Sequence, residues 1–279
     1  MGFLSLDESD RFQPEFRQPL THNPHAPGDF AASLLALQGP RLTISAACAS
    51  SSKVFATAQR WLNQKLVDAV VVGGADSLCL SVIYGFHSLQ LVSEDACRPF
   101  DINRTGISLG EAAGFVLLQR EQSTPGSQLR LLGVGESCDA YHMSSAHPDG
   151  LGAKLSMQRA LAAAGIAATD IDYLNLHGTG TRANDATEAR VCAELVAGGT
   201  LASATKSWTG HALGAAGIVE AVLCLDALHT GFVPGTRNTT QIEGDLPLLL
   251  ESQEQNLTTT LSNSFGFGGN NCSVVFGRS

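Results

Sequence analysis

At 279 residues, with 44% apolar and 15% charged side chains, the chain is long enough to bury a sizeable core as one large or two small domains. Its 17 basic and 26 acidic residues leave a formal charge of −9, which argues against nucleic acid as a main partner. No run approaches the length of apolar residues that a membrane span needs, and the opening MGFLSLDESDRF has neither the basic flank nor the apolar stretch of a cleavable signal. No membrane span and a cytoplasmic location are expected.

Residues 1 to 40 are loop-rich, with THNPHAPGDF combining two prolines and a glycine. RLTIS then reads as a short strand leading toward Cys48. From Ser50 the apolar positions Val54, Phe55, Ala58, Trp61 and Leu62 follow helical spacing, and DAVVVGGADS is a continuous apolar run of buried-strand type. The alternation returns later: GAKLSMQRALAAAGI as helix, DIDYLNLH as strand, NDATEARVCAELV as helix, LASAT as strand and GAAGIVEAVLCLDALHTG as helix. Such order predicts a mixed, mainly parallel sheet arrangement covered by helices. The last helix is apolar nearly all round, which predicts a central, buried one. The closing LTTTLSNSFGFGGNNCSVVFG reads as two strands joined by a glycine-rich turn.

Seven cysteines without a CxxC pair point to reduced thiols, several of them packing residues in apolar runs. Cys48 differs because it stands among Ala46, Ala47, Ala49 and Ser50 at a predicted strand-to-helix junction. There a helix N-terminus favours thiolate and small neighbours leave room for a substrate. LHGTGTRAND places His177 at a strand end, followed by Gly178 and Gly180, which relax the backbone, and by the hydroxyls of Thr179 and Thr181. TKSWTGHALGAAG places Lys206 after another strand and His211 just before a helix. Loops at the carboxyl ends of strands are where such folds gather their sites. SNSFGFGGNN allows a tight turn that presents Phe267; its spacing does not fit a phosphate-binding fingerprint. His22 and His25, three apart near Asp29, fall short of a zinc ligand set, and no metal or cofactor is expected.

TISAACASS, CRPFD, LHGTGT, TKSWTGHALGAAG and NSFGFGG, in this order, resemble the elongating β-ketoacyl-acyl-carrier-protein synthases (types I and II) of the thiolase superfamily. The resemblance runs from about residue 20 to 277. It implies an α/β, thiolase-like layered fold in two halves, residues 1–125 carrying the nucleophile and 126–279 carrying the two histidines.

It further implies that Cys48 accepts an acyl chain from a carrier-protein thioester and that His177 and His211 assist decarboxylation of malonyl carrier protein. By the same likeness, the backbone N–H groups of Cys48 and Phe267 form an oxyanion hole, and Phe267 gates the acyl pocket. Thr179 and Thr181 match pantetheine-binding hydroxyls, Lys206 an electrostatic and positioning lysine, and Glu188 its usual acidic partner. Glu188 also stands three residues after Asp185, a spacing that fits a helix capping pair. His142 and His147 match a loop near the site mouth, and Ile107 stands where many relatives carry phenylalanine, a change expected to alter the acyl pocket.

Only 47 residues precede Cys48, so the first half reads as N-terminally short and incomplete. The expected partners are acyl carrier protein, in acyl and malonyl forms, and a second synthase subunit in a homodimer or heterodimer. The expected activity is condensation in fatty-acid, polyketide or polyene-type elongation; the alternative is a non-catalytic or truncated partner subunit of a ketosynthase heterodimer. A thiolase using a second cysteine would have to recruit Cys272, whose strand-like setting suggests packing.

Overall fold

The computed structural model describes Ser9 and residues 23–120, 129–196 and 198–278. The backbone divides into two compact units, residues 1–44 and 45–279. His22 lies outside the described residues. In the first unit, helix α1 (Ala26–Leu34) carries Pro27 in its first turn, which its fixed φ suits, inside a stretch read from sequence as loop. Arg41 pairs with Asp29 across 3.0 Å, both exposed.

The second unit begins with the turn that carries Cys48 and continues into α2 (Ser50–Asn63) and β1 (Ala69–Asp76). Helix α3 (Leu80–Ser88) leads through a long connection to β2 (Ala112–Gln119), which pairs antiparallel with β1 from Ala69↔Gln119 to Asp76↔Ala112. Then follow β3 (Leu129–Cys138), α4 (Leu151–Ala164), β4 (Tyr173–Asn175), α5 (Arg182–Leu195), β5 (Leu201–Ser203), the single turn α6 (Lys206–Thr209) and α7 (Ala216–Thr230). A two-stranded ribbon, β6 (Phe232–Val233) with β7 (Gln253–Glu254), precedes β8 (Thr259–Gly266) and β9 (Asn270–Arg278).

The large sheet runs β3-β9-β8-β4-β5. It is mixed as expected, but parallel pairing is confined to β8–β4 and β4–β5, while β3–β9, β9–β8 and β1–β2 are antiparallel. The expected strand at RLTIS does not form: residues 41–45 pair with no strand among the described residues. β-Branched side chains favour a strand only when a neighbouring strand takes up their backbone groups.

Helix α7 packs on β8 and β9 of the large sheet and on β2 of the small pair, while α2 contacts β1, β3 and β9. These two helices therefore lie between the sheets, and α4 covers the other face of β3 and β9. Ile218, Ala221, Cys224 and Leu228 of α7 are buried with Phe55 and Ala58 of α2 and with Val274 and Phe276 of β9. Leu213–Thr230, at mean hydropathy 1.5, is apolar and long enough to cross a membrane, contrary to the reading of the sequence, but it is the buried helix at the centre of this unit. Its broad buried face explains most of its composition, while Val222 and Asp226 remain exposed.

Candidate active site

Cys48 lies at a tight turn before α2. Ala47 holds φ +49, a left-handed conformation that costs energy in any residue with a Cβ, and Ser50 Oγ braces the turn by donating to Ala47 O at 2.6 Å and accepting from Ala46 N at 2.8 Å. The turn places Cys48 just ahead of the first helical residue, with its side chain buried. The glycine-rich turn between β8 and β9 lies against it. A Cβ on Gly266 would come within 2.8 Å of Ala46 O, so only glycine permits this approach. The backbone N–H groups of Cys48 and Phe267 both favour negative charge on the Cys48 sulfur.

His211 Nε2 stands 3.1 Å from Cys48 Sγ, and its ring is 5.5 Å from that of His177, nearly perpendicular. The tautomers follow from the partners of the other ring nitrogens. His211 Nδ1 accepts from Leu213 N at 3.3 Å, and His177 Nδ1 lies 3.1 Å from Lys206 Nζ, which as an ammonium only donates. Both neutral rings thus carry their proton on Nε2. Burial, then the Lys206 charge, holds both histidines well below the usual imidazole range, and for His177 the neighbouring His211 adds to this.

Lys206 is only 2% exposed and donates to His177 O at 2.7 Å. Its carboxylate partner is Glu220 on α7, through Oε1, while Glu220 Oε2 finds no hydrogen-bond partner among the described residues. This corrects the expectation that Glu188 pairs with the lysine. Glu188, 1% exposed, accepts from His177 N and Gly178 N, each at 2.8 Å, and from Asn263 Nδ2 at 3.3 Å. Burial pushes its carboxyl up to about 7, against the pull of the two N–H donors.

Asp185 does not form a capping pair with Glu188 either. It accepts from the N–H groups of Phe100, Thr179 and Gly180, and the buried Arg104 guanidinium lies 3.7 Å away. Both carboxylates turn back from the first turns of α5 onto the loop that holds His177, where Gly178 and Gly180 adopt φ +37 and +78. Thr179 and Thr181 are hydrogen-bonded through their hydroxyls at 2.9 Å, and Thr181 is the residue before α5.

Burial raises the Cys48 thiol to about 11, with Lys206 pulling it down. The expectation of a resting thiolate is therefore corrected, because desolvation outweighs the helix terminus. Cys97 is buried and its thiol donates to Thr179 O at 3.3 Å; Cys272 is interior to β9, consistent with packing. His142 and His147 accept from the N–H groups of Ser144 and Asp149 in their own loop. That loop reaches the glycine-rich turn where Met143 O accepts from Gly268 N at 2.8 Å. Ile107 is buried, its backbone bonded to Leu91 and Ser93.

Sequence reasoning missed Glu220, Asp185 as a loop clamp, and Asp76, whose carboxylate accepts from Gly214 N at 2.9 Å beside His211. Glu220 carried a signal: one of only two acids in a largely apolar helix, it calls for a cation where that part of the helix is buried.

The N-terminal domain of the β-ketoacyl synthases matches residues 6–124, and their C-terminal domain matches residues 129–240. The chain is 36% identical to the chloroplastic 3-oxoacyl-[acyl-carrier-protein] synthase II of Arabidopsis thaliana, over 91% of this chain and 51% of that protein. It is also 36% identical to 3-oxoacyl-[acyl-carrier-protein] synthase 2 of Vibrio cholerae, over 87% of this chain and 63% of that one. Among solved structures, that of a ketosynthase in complex with its chain length factor from Xenorhabdus doucetiae superposes with a TM-score of 0.85 at 44% identity, covering 91% of this chain and 64% of the other. The chain thus spans about half to two-thirds of the length of these relatives. Two consecutive domains of one family, matched in chain order on a thiolase-like fold, show that this chain belongs to the β-ketoacyl synthases.

Proposed function

We propose that this chain catalyses the decarboxylative condensation of a β-ketoacyl-acyl-carrier-protein synthase, as an acyltransferase of fatty-acid or polyketide-type elongation in the cytoplasm. The observation that carries the reading is the 3.1 Å approach of His211 Nε2 to Cys48 Sγ, with His177 beside it and both rings protonated on Nε2. We take residues 1–125 and 126–279 as two halves of the fold; the match of one family domain ending at 124 and the next beginning at 129 supports this.

In the first half-reaction Cys48 Sγ attacks the thioester carbonyl of acyl carrier protein. The C–S bond to pantetheine breaks, and the cysteine proton ends on the departing thiol, so no net proton is consumed. Because the resting thiol is neutral, attack needs the His211 N–H and the Lys206 charge to stabilise the developing thiolate. The N–H groups of Cys48 and Phe267 receive the oxyanion.

In the second half-reaction, malonyl carrier protein loses carbon dioxide, and its electron pair becomes an enolate. Two Nε2–H donors face that oxygen, and being neutral they donate without first having to lose a charge. The enolate carbon attacks the acyl-cysteine, the C–S bond breaks, and the cysteine thiolate takes up one proton from solvent. Lys206 holds the His177 ring and backbone, and Thr179 and Thr181 contact the pantetheine arm. Phe267 serves as a gate over the acyl pocket.

Partners under this reading are acyl carrier protein and a second synthase subunit, the same chain or a related one. The β1–β2 face, with Phe115 53% and Leu117 59% exposed among the described residues, suits a subunit interface, and a second reading makes this chain a non-catalytic subunit of a heterodimer. Incubation with an acyl carrier-protein thioester separates the two. A mass increase of one acyl group on the chain, absent in Cys48→Ala, supports the enzyme; no increase on the folded chain overturns it.

A further inference from the structure

Helix α3 has the sequence LSVIYGFHS, yet none of its nine residues is fully buried. An apolar helix that stays at the surface without a core role raises the question of what its side chains hold. One of them has a defined partner: the Phe86 ring lies 5.7 Å from the Phe267 ring, tilted by 31°, within the range of a favourable aromatic pair.

Phe267 has two ends. Its N–H acts on the Cys48 sulfur, and its ring meets Phe86. The backbone after it is built to turn, with Gly268 at φ +74 and Gly269 at φ +75. The Gly268 N–H is tied to Met143 O and Asp139 N donates to Gly269 O at 3.1 Å, so the turn is anchored after the phenylalanine but not at its ring. The ring is held by α3.

We propose that Phe86 is a positioning residue: it latches the Phe267 ring shut and sets how readily bulky apolar groups reach Cys48. This rests on the gating role of Phe267 given under the proposed function. Losing the stack removes part of the cost of opening, so long groups gain access while small ones, which pass a closed gate, gain none. An aromatic pair of ordinary strength gives an effect of roughly three- to tenfold.

The test compares N-methylmaleimide with N-octylmaleimide on the full chain, reading modification of the Cys48 peptide by mass; it needs no catalysis. Phe86→Leu is expected to raise the octyl-to-methyl rate ratio about three- to tenfold, and Phe86→Tyr, which keeps the ring, to leave it at the wild-type value. On a Phe267→Leu background, Phe86→Leu is expected to change the ratio no further. If Phe86→Leu unfolds, Phe86→Met carries the same expectation. A ratio unchanged in the variant without a ring, equally raised by tyrosine, or raised as much on the Phe267→Leu background overturns the latch. A shifted ratio on a chain that takes no acyl group from a carrier-protein thioester upholds the latch and overturns the acyltransferase reading.

Discussion

The β1–β2 pair and the β8–β9 pair are built alike: each is an eight-residue antiparallel ladder leaning on α7. Their surroundings differ. β9 and β8 are flanked by β3 and by β4 and β5, and every residue of β8 from Thr259 to Ser264 is buried. Around β1 and β2 no further strand pairs among the described residues, and the face formed by Val71, Ala75, Ala113, Phe115 and Leu117 has no cover comparable to α4. Both histidine loops, the lysine, and the Asp185 and Glu188 carboxylates belong to the elements around the enclosed ladder; Asp76 reaches the His211 loop from β1. Cys48 stands in the turn before α2, which lies between the two, and the groups that act on its sulfur come mainly from the enclosed side.

The largest expected effect breaks the enclosed side from within. Lys206→Met leaves Glu220 buried without its cation, at a cost of about 3–5 kcal/mol in urea unfolding. The double variant Lys206→Met/Glu220→Leu is expected to regain most of that stability, because no uncompensated charge remains, and to stay inactive in acyl transfer. A single variant as stable as the wild type would show that the pair is solvated.

A matched pair of truncations sharpens the comparison. Leu261→Ala in β8, where the side chain is fully buried, is expected to cost about 2–5 kcal/mol. Leu117→Ala in β2 is expected to change stability by less than about 0.5 kcal/mol. Sedimentation should show Leu117→Ser reducing any self-association through the open face, whereas equal unfolding costs for the two alanine variants would mean that this face is covered in solution.

Much of the site was legible because its chemistry demands particular residues in loops. Cys48, His177, Lys206 and His211 come together where the motifs put them. The failures share one cause, since pattern does not report which buried group faces which. Glu188 precedes Lys206 by eighteen positions and Glu220 follows it by fourteen; only the fold, which brings α7 beside the start of α6, decides that Glu220 meets the lysine. The Asp185 and Glu188 spacing suits a cap, but the loop before α5 offers five N–H contacts to their carboxylates, which is stronger bait than one helix end. RLTIS has strand composition and no partner strand. Sequence placed the cysteine at a helix start but could not weigh that start against complete burial.

That balance gives a pH prediction. The Cys48 thiol is raised from 9.0 to about 11 by burial, so in this range the folded chain holds a proton that the unfolded chain has lost. Stability from this group is therefore complete below pH 9 and lost as pH rises toward 11, an effect on the order of 2 kcal/mol. Cys48→Ala should abolish the difference between unfolding measured at the two ends of this window. A wild-type decline no steeper than that of the variant would mean that the thiol is hydrated.

The smallest expected effect tests whether the open ladder reaches the chemistry at all. Asp76 is the last residue of β1, and its carboxylate receives Gly214 N three residues after His211. Replacing it with asparagine keeps the shape and exchanges a charged acceptor for a neutral one, which should cost about 1 kcal/mol or less. If β1 helps to hold the His211 loop, Asp76→Asn should slow acylation of Cys48 severalfold while the rate of N-methylmaleimide addition stays within twofold of wild type, because access to the sulfur is untouched. Phe115→Ser on the same ladder should leave both rates unchanged. Should the two variants act alike, the ladder supports the site only by its bulk and not through the single hydrogen bond at its end.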